Sequence, residues 1–257
     1  MNHLRSIAFH FENENQARYP FNLQIFKDLD EIEFKHPVTI IVGENGSGKS
    51  TILESIATSA GSITIGGNNL VSDLAKQIRT KTKLTWSVKT RKGFYFKAND
   101  FIQFIDGIKD MKEESRAALI EIEISDIDPL AKIPHARTLH ELKKLYGDGL
   151  EFRSHGESFL DLFQTRFQPG GLYILDEPES PLSPINQLAL ISMIRGMLDE
   201  DAQFIIATHS PILMAFPDAE ILSIEEGVLK KVTYEELEHV TLTRDFLNSP
   251  GSFLRHL

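Results

Sequence analysis

Hydrophobic and polar positions change period several times along this chain, and each change predicts an element. Residues 4–11 put Ile7, Phe9 and Phe11 at alternate positions, which predicts a strand. Residues 38–42 hold Val38, Ile40, Ile41 and Val42 in one short β-branched run, the pattern of a strand buried on both faces. Over 50–60 the apolar residues Ile52, Leu53, Ile56 and Ala57 fall at helical spacing. Alternation returns over 80–91, with Lys81, Lys83, Thr85, Ser87 and Lys89 on one face and Leu84, Trp86 and Val88 on the other. A turn at Lys92 and Gly93 then leads to a second strand at 94–97, predicting a basic strand pair. Residues 100–153 read as mostly helical, with breaks at Pro129 and Pro134. Strands at 172–175 and 203–207 flank a helix at 184–198, and a last helix near 243–256 is interrupted at Pro250 and Gly251. Strands that alternate with helices and are apolar on both faces predict an α/β fold. The expected architecture is a mainly parallel core sheet with an antiparallel β layer and a small helical lobe, in one domain over 1–257 with the lobe at 100–160.

Composition narrows this picture. There is no cysteine among 257 residues, which excludes disulfides, cysteine zinc sites and cysteine nucleophiles. No apolar run has the length of a membrane span, and the first residues carry no apolar secretory core, so a cytoplasmic location is expected. The net charge is −10, from 27 basic and 37 acidic residues, which leans against non-specific nucleic-acid binding. The distribution is uneven, however. Lys76, Arg79, Lys81, Lys83, Lys89, Arg91, Lys92 and Lys97 occur with no acidic residue between 76 and 97. Two readings stay open for that stretch: a DNA-facing surface, or a solvated β layer whose lysines discourage edge pairing.

The candidate chemistry starts at Gly43-Glu44-Asn45-Gly46-Ser47-Gly48-Lys49-Ser50, a complete G-x-x-x-x-G-K-S match between a predicted buried strand and a predicted helix. Glycines let successive backbone N–H groups converge on phosphate oxygens, and the helix N-terminus adds partial positive charge. Lys49 is placed to reach the β- and γ-phosphates of a nucleotide, and the Ser50 hydroxyl to ligate Mg²⁺. The strand at 172–175 ends in Asp176 and Glu177. Asp176 is the expected second Mg²⁺ contact, and Glu177 the expected general base for an attacking water. His209 follows the apolar strand at 203–207 and is the candidate γ-phosphate contact.

In order and spacing these motifs resemble the ABC-type ATPases, which include transporter nucleotide-binding domains and SMC-like DNA-repair ATPases. Arg153-Ser154-His155-Gly156-Glu157 is similar to the signature segment of that group; Ser154 precedes Asp176 by 22 positions, and His209 follows Asp176 by 33. The strings Val42 to Thr51, Ser154 to Ser158 and Thr243-Arg244-Asp245-Phe246-Leu247 look closer still to small stand-alone bacterial ATPases of the AAA/ABC kind. The resemblance implies a P-loop NTPase fold of ABC type, ATP and Mg²⁺ as cofactors, and ATP hydrolysis by Lys49, Glu177 and His209. It assigns nucleotide contacts to Gly43, Glu44, Asn45, Gly46, Ser47, Gly48, Lys49, Ser50 and Thr51. It also implies a head-to-tail homodimer in which Ser154, Gly156 and Glu157 of one copy touch the nucleotide of the other. Three positions depart from the family pattern. His155 replaces the second signature glycine, Ser183 stands where an aspartate is usual, and the expected glutamine after the strand at 94–97 is either Asn99 or Gln103. Tyr19 and Arg5 are candidates for the adenine contact.

Three roles stay open for such an ATPase: a soluble enzyme gating DNA repair or defence against foreign DNA, the ATP-binding subunit of a transporter, or a slow nucleotide switch that assembles with an effector. About 55 residues lie between Asn99 and Ser154. At 1.5 Å per helical residue a hairpin of that length reaches only about 40 Å, too short for a long coiled-coil arm but enough for a lobe that docks a protein partner.

Overall fold

The computed structural model describes residues 2–11, 18–65, 73–125, 129–146 and 155–255. Among the described residues, ten strands fall into two sheets. In the first, β1 (Leu4–Phe9) lies between β2 (Glu31–Glu33) and β5 (Thr82–Trp86), antiparallel to both. The second has seven strands: β3 (Val38–Gly43), β4 (Ile63–Ile65), β6 (Gly93–Lys97), β7 (Leu172–Asp176), β8 (Gln203–Ala207), β9 (Glu220–Glu225) and β10 (Val228–Val232). Their order is β10-β9-β3-β8-β7-β6-β4, parallel except for the β9–β10 hairpin.

The period-two side-chain rule divides the core in two. From the parallel sheet, Ile40, Val42, Tyr173, Leu175, Phe204 and Ile206 point to one side. They meet Phe101 and Ile105 of α4 (Ala98–Ile124), Phe159 and Phe163 of α6 (His155–Arg166), and Leu190 and Ile194 of α7 (Pro184–Leu198). The alternate residues Ile41, Ile174, Ile205 and Ala207 face the other side. There they pack with Ile52, Leu53 and Ile56 of α2 (Lys49–Ala60) and with Leu4, Ile7 and Phe9 of β1. The short α1 (Ile25–Asp28) adds Ile25 and Phe26 to that second cluster, and α3 (Asp73–Thr80) packs on α2. The Gln203 side chain fastens the antiparallel sheet to the parallel one: its amide accepts from Leu4 N–H at 2.7 Å and donates to Leu4 C=O at 2.9 Å, with Gln203 fully buried.

The expected basic strand pair does not form. β5 bonds to β1, whereas β6 bonds to β4 and β7 in the parallel sheet. The residues explain the separation. β5 alternates, so one face can stay wet; in β6, Phe94, Tyr95 and Phe96 are all buried, and only a sheet covered on both sides accommodates that. Within β5 the expected faces hold: Lys83 and Thr85 are exposed, while Leu84 and Trp86 pack on the second core.

The long helical stretch comprises α4, a 3-10 turn at Pro129–Ala131, and α5 (Lys132–Tyr146), which packs against α4. The base of α4 belongs to the core through Phe101 and Ile105, while Ile120, Ile124, Leu130 and Ile133 are exposed towards its far end. Pro134 sits in the first turn of α5 and does not break it, because the first-turn N–H groups have no intrahelical partner to lose. The chain closes with α8 (Pro211–Met214), a 3-10 turn at Tyr234–Glu236, α9 (Glu238–Asn248) and α10 (Pro250–Leu254). Among the described residues no helix is long and apolar enough to cross a membrane.

Candidate nucleotide site

The strand order sets β8 between β3 and β7, and the chain leaves all three at their carboxyl ends, the edge where open α/β sheets hold ligands. The loop 43–48 leaves β3 there, Asp176 ends β7, and His209 follows β8. Gly48 is the N-cap of α2 at φ 107°, and a Cβ there would meet Cγ2 of Ile25 at 2.8 Å, so the position needs glycine twice over. No side chain caps α2, which leaves its first N–H groups directed at the loop mouth as anion donors. The Lys49 ammonium donates to the carbonyls of Gly43 and Glu44, at 2.9 and 3.0 Å. Burial lowers its pKa, while Glu177, Asp176 and Glu179 act in the opposite sense.

Ser50 donates its hydroxyl proton to Asp176 Oδ1 at 3.2 Å. Asp176 is only 2% exposed, and burial pushes its carboxyl up to about 6 despite the Ser50 hydrogen bond and the nearby Lys97. Two hard oxygen donors side by side, one a buried carboxylate without a full counter-charge, form a donor set that fits Mg²⁺. Glu177 has left-handed backbone at φ 51°, costly for a side chain of that size, and its N–H donates to Ala207 C=O at 2.9 Å. That bond fixes the turn after β7 against the end of β8 and brings Glu177 Oε1 to 3.9 Å from His209 Nε2. His209 Nε2 is buried with no hydrogen-bond partner, and burial first, then Lys49, lowers the ring's pKa.

Sequence reasoning overlooks Glu179. Its Oε1 accepts from His209 N–H at 2.6 Å, pinning the backbone of the loop that carries the histidine, and burial raises its pKa. The available signal is three carboxylates within four positions, Asp176, Glu177 and Glu179, just past a buried strand. The remaining candidates divide. Tyr19 is brought to the loop: its hydroxyl lies 3.0 Å from Thr51 Oγ1, and it lines a pocket with Leu23, Asn45, Gly46, Gly48, Lys49, Ser50 and Glu177. Arg5 lines a different groove, with Asn2, Glu31 and Lys35. Asn99 lies in the first turn of α4, and Gln103 is exposed one turn further on. Ser154 lies outside the described residues, while the backbone of His155, Gly156 and Glu157 forms the first turn of α6. Ser183 has a structural role, since its hydroxyl accepts from Asn186 N–H and caps α7, with Pro184 in the first turn.

A family model described as an AAA domain matches residues 21–144. The chain is 25% identical over 185 residues to the phosphate import ATP-binding protein PstB 2 of Bacillus licheniformis, covering 68% of this chain and 64% of that protein. It is 27% identical over 202 residues to the vitamin B12 import ATP-binding protein BtuD of Vibrio atlanticus, covering 75% and 76%. A solved ATP-binding cassette of an ABC transporter aligns over 96% of this chain and 98% of its own, at 16% identity and a TM-score of 0.49. The first of these relatives thus extends well beyond the part the chain matches. The parallel sheet, the loop at the end of β3 and these matches agree in one respect: the chain is similar to ABC-type ATP-binding proteins.

Proposed function

We propose that this chain binds ATP on the 43–51 loop, hydrolyses it to ADP and phosphate, and does so as a head-to-tail pair of copies. The observation that carries the reading is the convergence of three elements on one point: Ser50 on Asp176, and Glu177 beside His209, both at the mouth of the loop held by Lys49. Lys49 would exchange the carbonyls of Gly43 and Glu44 for phosphate oxygens, a favourable exchange for a buried ammonium. Ser50 and Asp176 would hold Mg²⁺, which when bound neutralises charge on the phosphates. Glu177 would take the proton of the attacking water. His209, with Nε2 lacking a partner, would hydrogen-bond the γ-phosphate and orient it towards that water. Tyr19, beside Thr51, is the better placed of the two adenine candidates.

The dimer is part of the proposal. Ser154, Gly156 and Glu157 would complete the site of the opposing copy, Ser154 and backbone N–H groups donating to its γ-phosphate. Light scattering on Glu177→Gln with ATP and Mg²⁺ should show twice the 29.1 kDa chain mass, and the further change Ser154→Arg should return it to the monomer while ATP stays bound. A dimer that survives Ser154→Arg would remove the signature segment from the interface.

We further propose that the dimer gates DNA transactions such as repair or defence. The supporting observation is the exposure of Arg79, Lys83, Lys89, Arg91 and Lys92, all from the stretch without acidic residues. The exposed apolar residues Ile120, Ile124, Leu130 and Ile133 of the helical lobe would serve a protein partner. A second reading, the ATP-binding subunit of an importer, is favoured by the import proteins among its relatives. Co-purification with a membrane protein would select it.

A further inference from the structure

Beyond the loop, the two carboxylates and the histidine, one residue from a distant part of the chain stands at the site. His239, in the first turn of α9, places its ring 5.6 Å from the His209 ring, centroid to centroid, at an interplanar angle of 56°. We propose that His239 is a positioning residue for His209, holding its imidazole beside Glu177 and tying helix α9 to the nucleotide site. The inference rests on the ATPase reading above.

The surroundings of His209 support it from each side. Its backbone is fixed by Glu179, and the next residue, Ser210, is held by Gln187 while capping α8. These bonds fix where the side chain begins, while the buried ring nitrogen Nε2 has no hydrogen-bond partner and lies 3.9 Å from Glu177 Oε1. The His239 ring packs beside it and limits the directions the imidazole can take. Helix α9 is a firm base for that neighbour. Leu237 and Val240, on either side of His239, are buried in the first core. The turn leading into α9 is closed by a capping box in which Thr233 and Glu236 bond each other reciprocally. Tyr234 donates to the Pro211 carbonyl at 3.3 Å, binding the same turn to α8. His239 itself is exposed, so its replacement removes a contact to His209 without opening the core. An apolar groove of about 930 Å³ lies between α7, α8 and α9, with His209, Glu179 and Leu247 among its lining residues. A change in the seating of α9 would therefore reach the imidazole through His239.

Ionisable groups face His209 from three elements: Lys49 from α2, Glu177 and Glu179 from the turn after β7, and His239 from α9. The test uses the full chain with His239→Ala and His239→Phe. In ATP hydrolysis, His239→Ala is expected to lower kcat by about 3- to 10-fold with KM for ATP unchanged within about two-fold, the split expected of a lost orienting contact. His239→Phe, which keeps a ring in place, should recover most of the loss, and thermal stability should be equal in all three proteins. A second readout needs no catalysis: the His209 imidazole, followed by NMR through a pH titration, should titrate higher in His239→Ala, since both the neighbouring ring's shielding and its charge are gone. An unchanged kcat in His239→Ala overturns the proposal. If the wild type does not hydrolyse ATP, the ATPase reading fails by itself, and an unmoved His209 titration then overturns the positioning role separately.

Discussion

Asp176 must be ionised to hold a cation, yet it lies where an ionised carboxyl is disfavoured. Its folded-state pKa of about 6 stands above the ordinary value of 3.8. Because the native state then binds the proton more tightly than the unfolded chain does, this group costs stability above pH 6, and the cost disappears as pH falls below about 4. Asp176→Asn keeps an oxygen acceptor for Ser50 and removes the charge. Without nucleotide the variant should be more stable than wild type at pH 8, by on the order of 1–3 kcal/mol, and no more stable at pH 3.5. Thermal unfolding at the two pH values checks this, and an equal gain at both would mean that burial of charge is not the cause. Glu177 shows a related tension in its backbone, whose left-handed φ is held by two bonds, its N–H donating to Ala207 C=O and its C=O accepting from Ser180 N–H. Both features place a local cost at the point where the proposed chemistry occurs.

At the scale of elements, Gln203 carries much of the connection between the two sheets. Replacing it with alanine would leave the N–H and C=O of Leu4 buried without the amide and should cost about 2–6 kcal/mol, from two lost bonds at roughly 1–3 kcal/mol each. Urea unfolding of Gln203→Ala measures it; a loss below about 0.5 kcal/mol would show that water replaces the amide. Legibility in the sequence also differs by element. Helix α7 is predicted over its full 184–198 span, because Ser183 and Pro184 mark its start and the apolar spacing fills the rest. The strands at 38–42, 172–175 and 203–207 are legible because burial on both faces leaves a continuous apolar run. The β9–β10 hairpin escapes that reading, although Glu226 and Gly227, with φ of 51° and 82°, supply the two left-handed positions of a tight hairpin turn. The pairing of β5 differs from expectation because partner choice is tertiary: alternation tells which face is wet, and β1, more than 70 residues earlier, supplies the partner. Within the site, the loop and the two carboxylates follow from local motifs. Glu179 and His239 act through contacts across 30 residues of sequence each, to His209, which no local pattern records.

For the whole molecule, the uneven charge bears on function. Arg79, Lys83, Lys89, Arg91 and Lys92 are exposed but do not form one ribbon, since β5 and β6 belong to different sheets. Two copies closing on ATP could bring two such surfaces together. Glu177→Gln with ATP and Mg²⁺ should bind a labelled DNA duplex with affinity that falls steeply with salt, and should bind it weakly without ATP. Salt-independent or absent binding by an ATP-loaded dimer would leave the basic residues as a solvated layer. All of this depends on the chain turning over ATP. The most direct measurement is phosphate release by wild type and Glu177→Gln, with bound ATP quantified in the same samples and Lys49→Ala as the non-binding control. The account predicts equal ATP binding by the first two proteins, release slowed at least about 100-fold in Glu177→Gln, and no binding by Lys49→Ala. Near-normal release by Glu177→Gln, or normal ATP binding by Lys49→Ala, would contradict it.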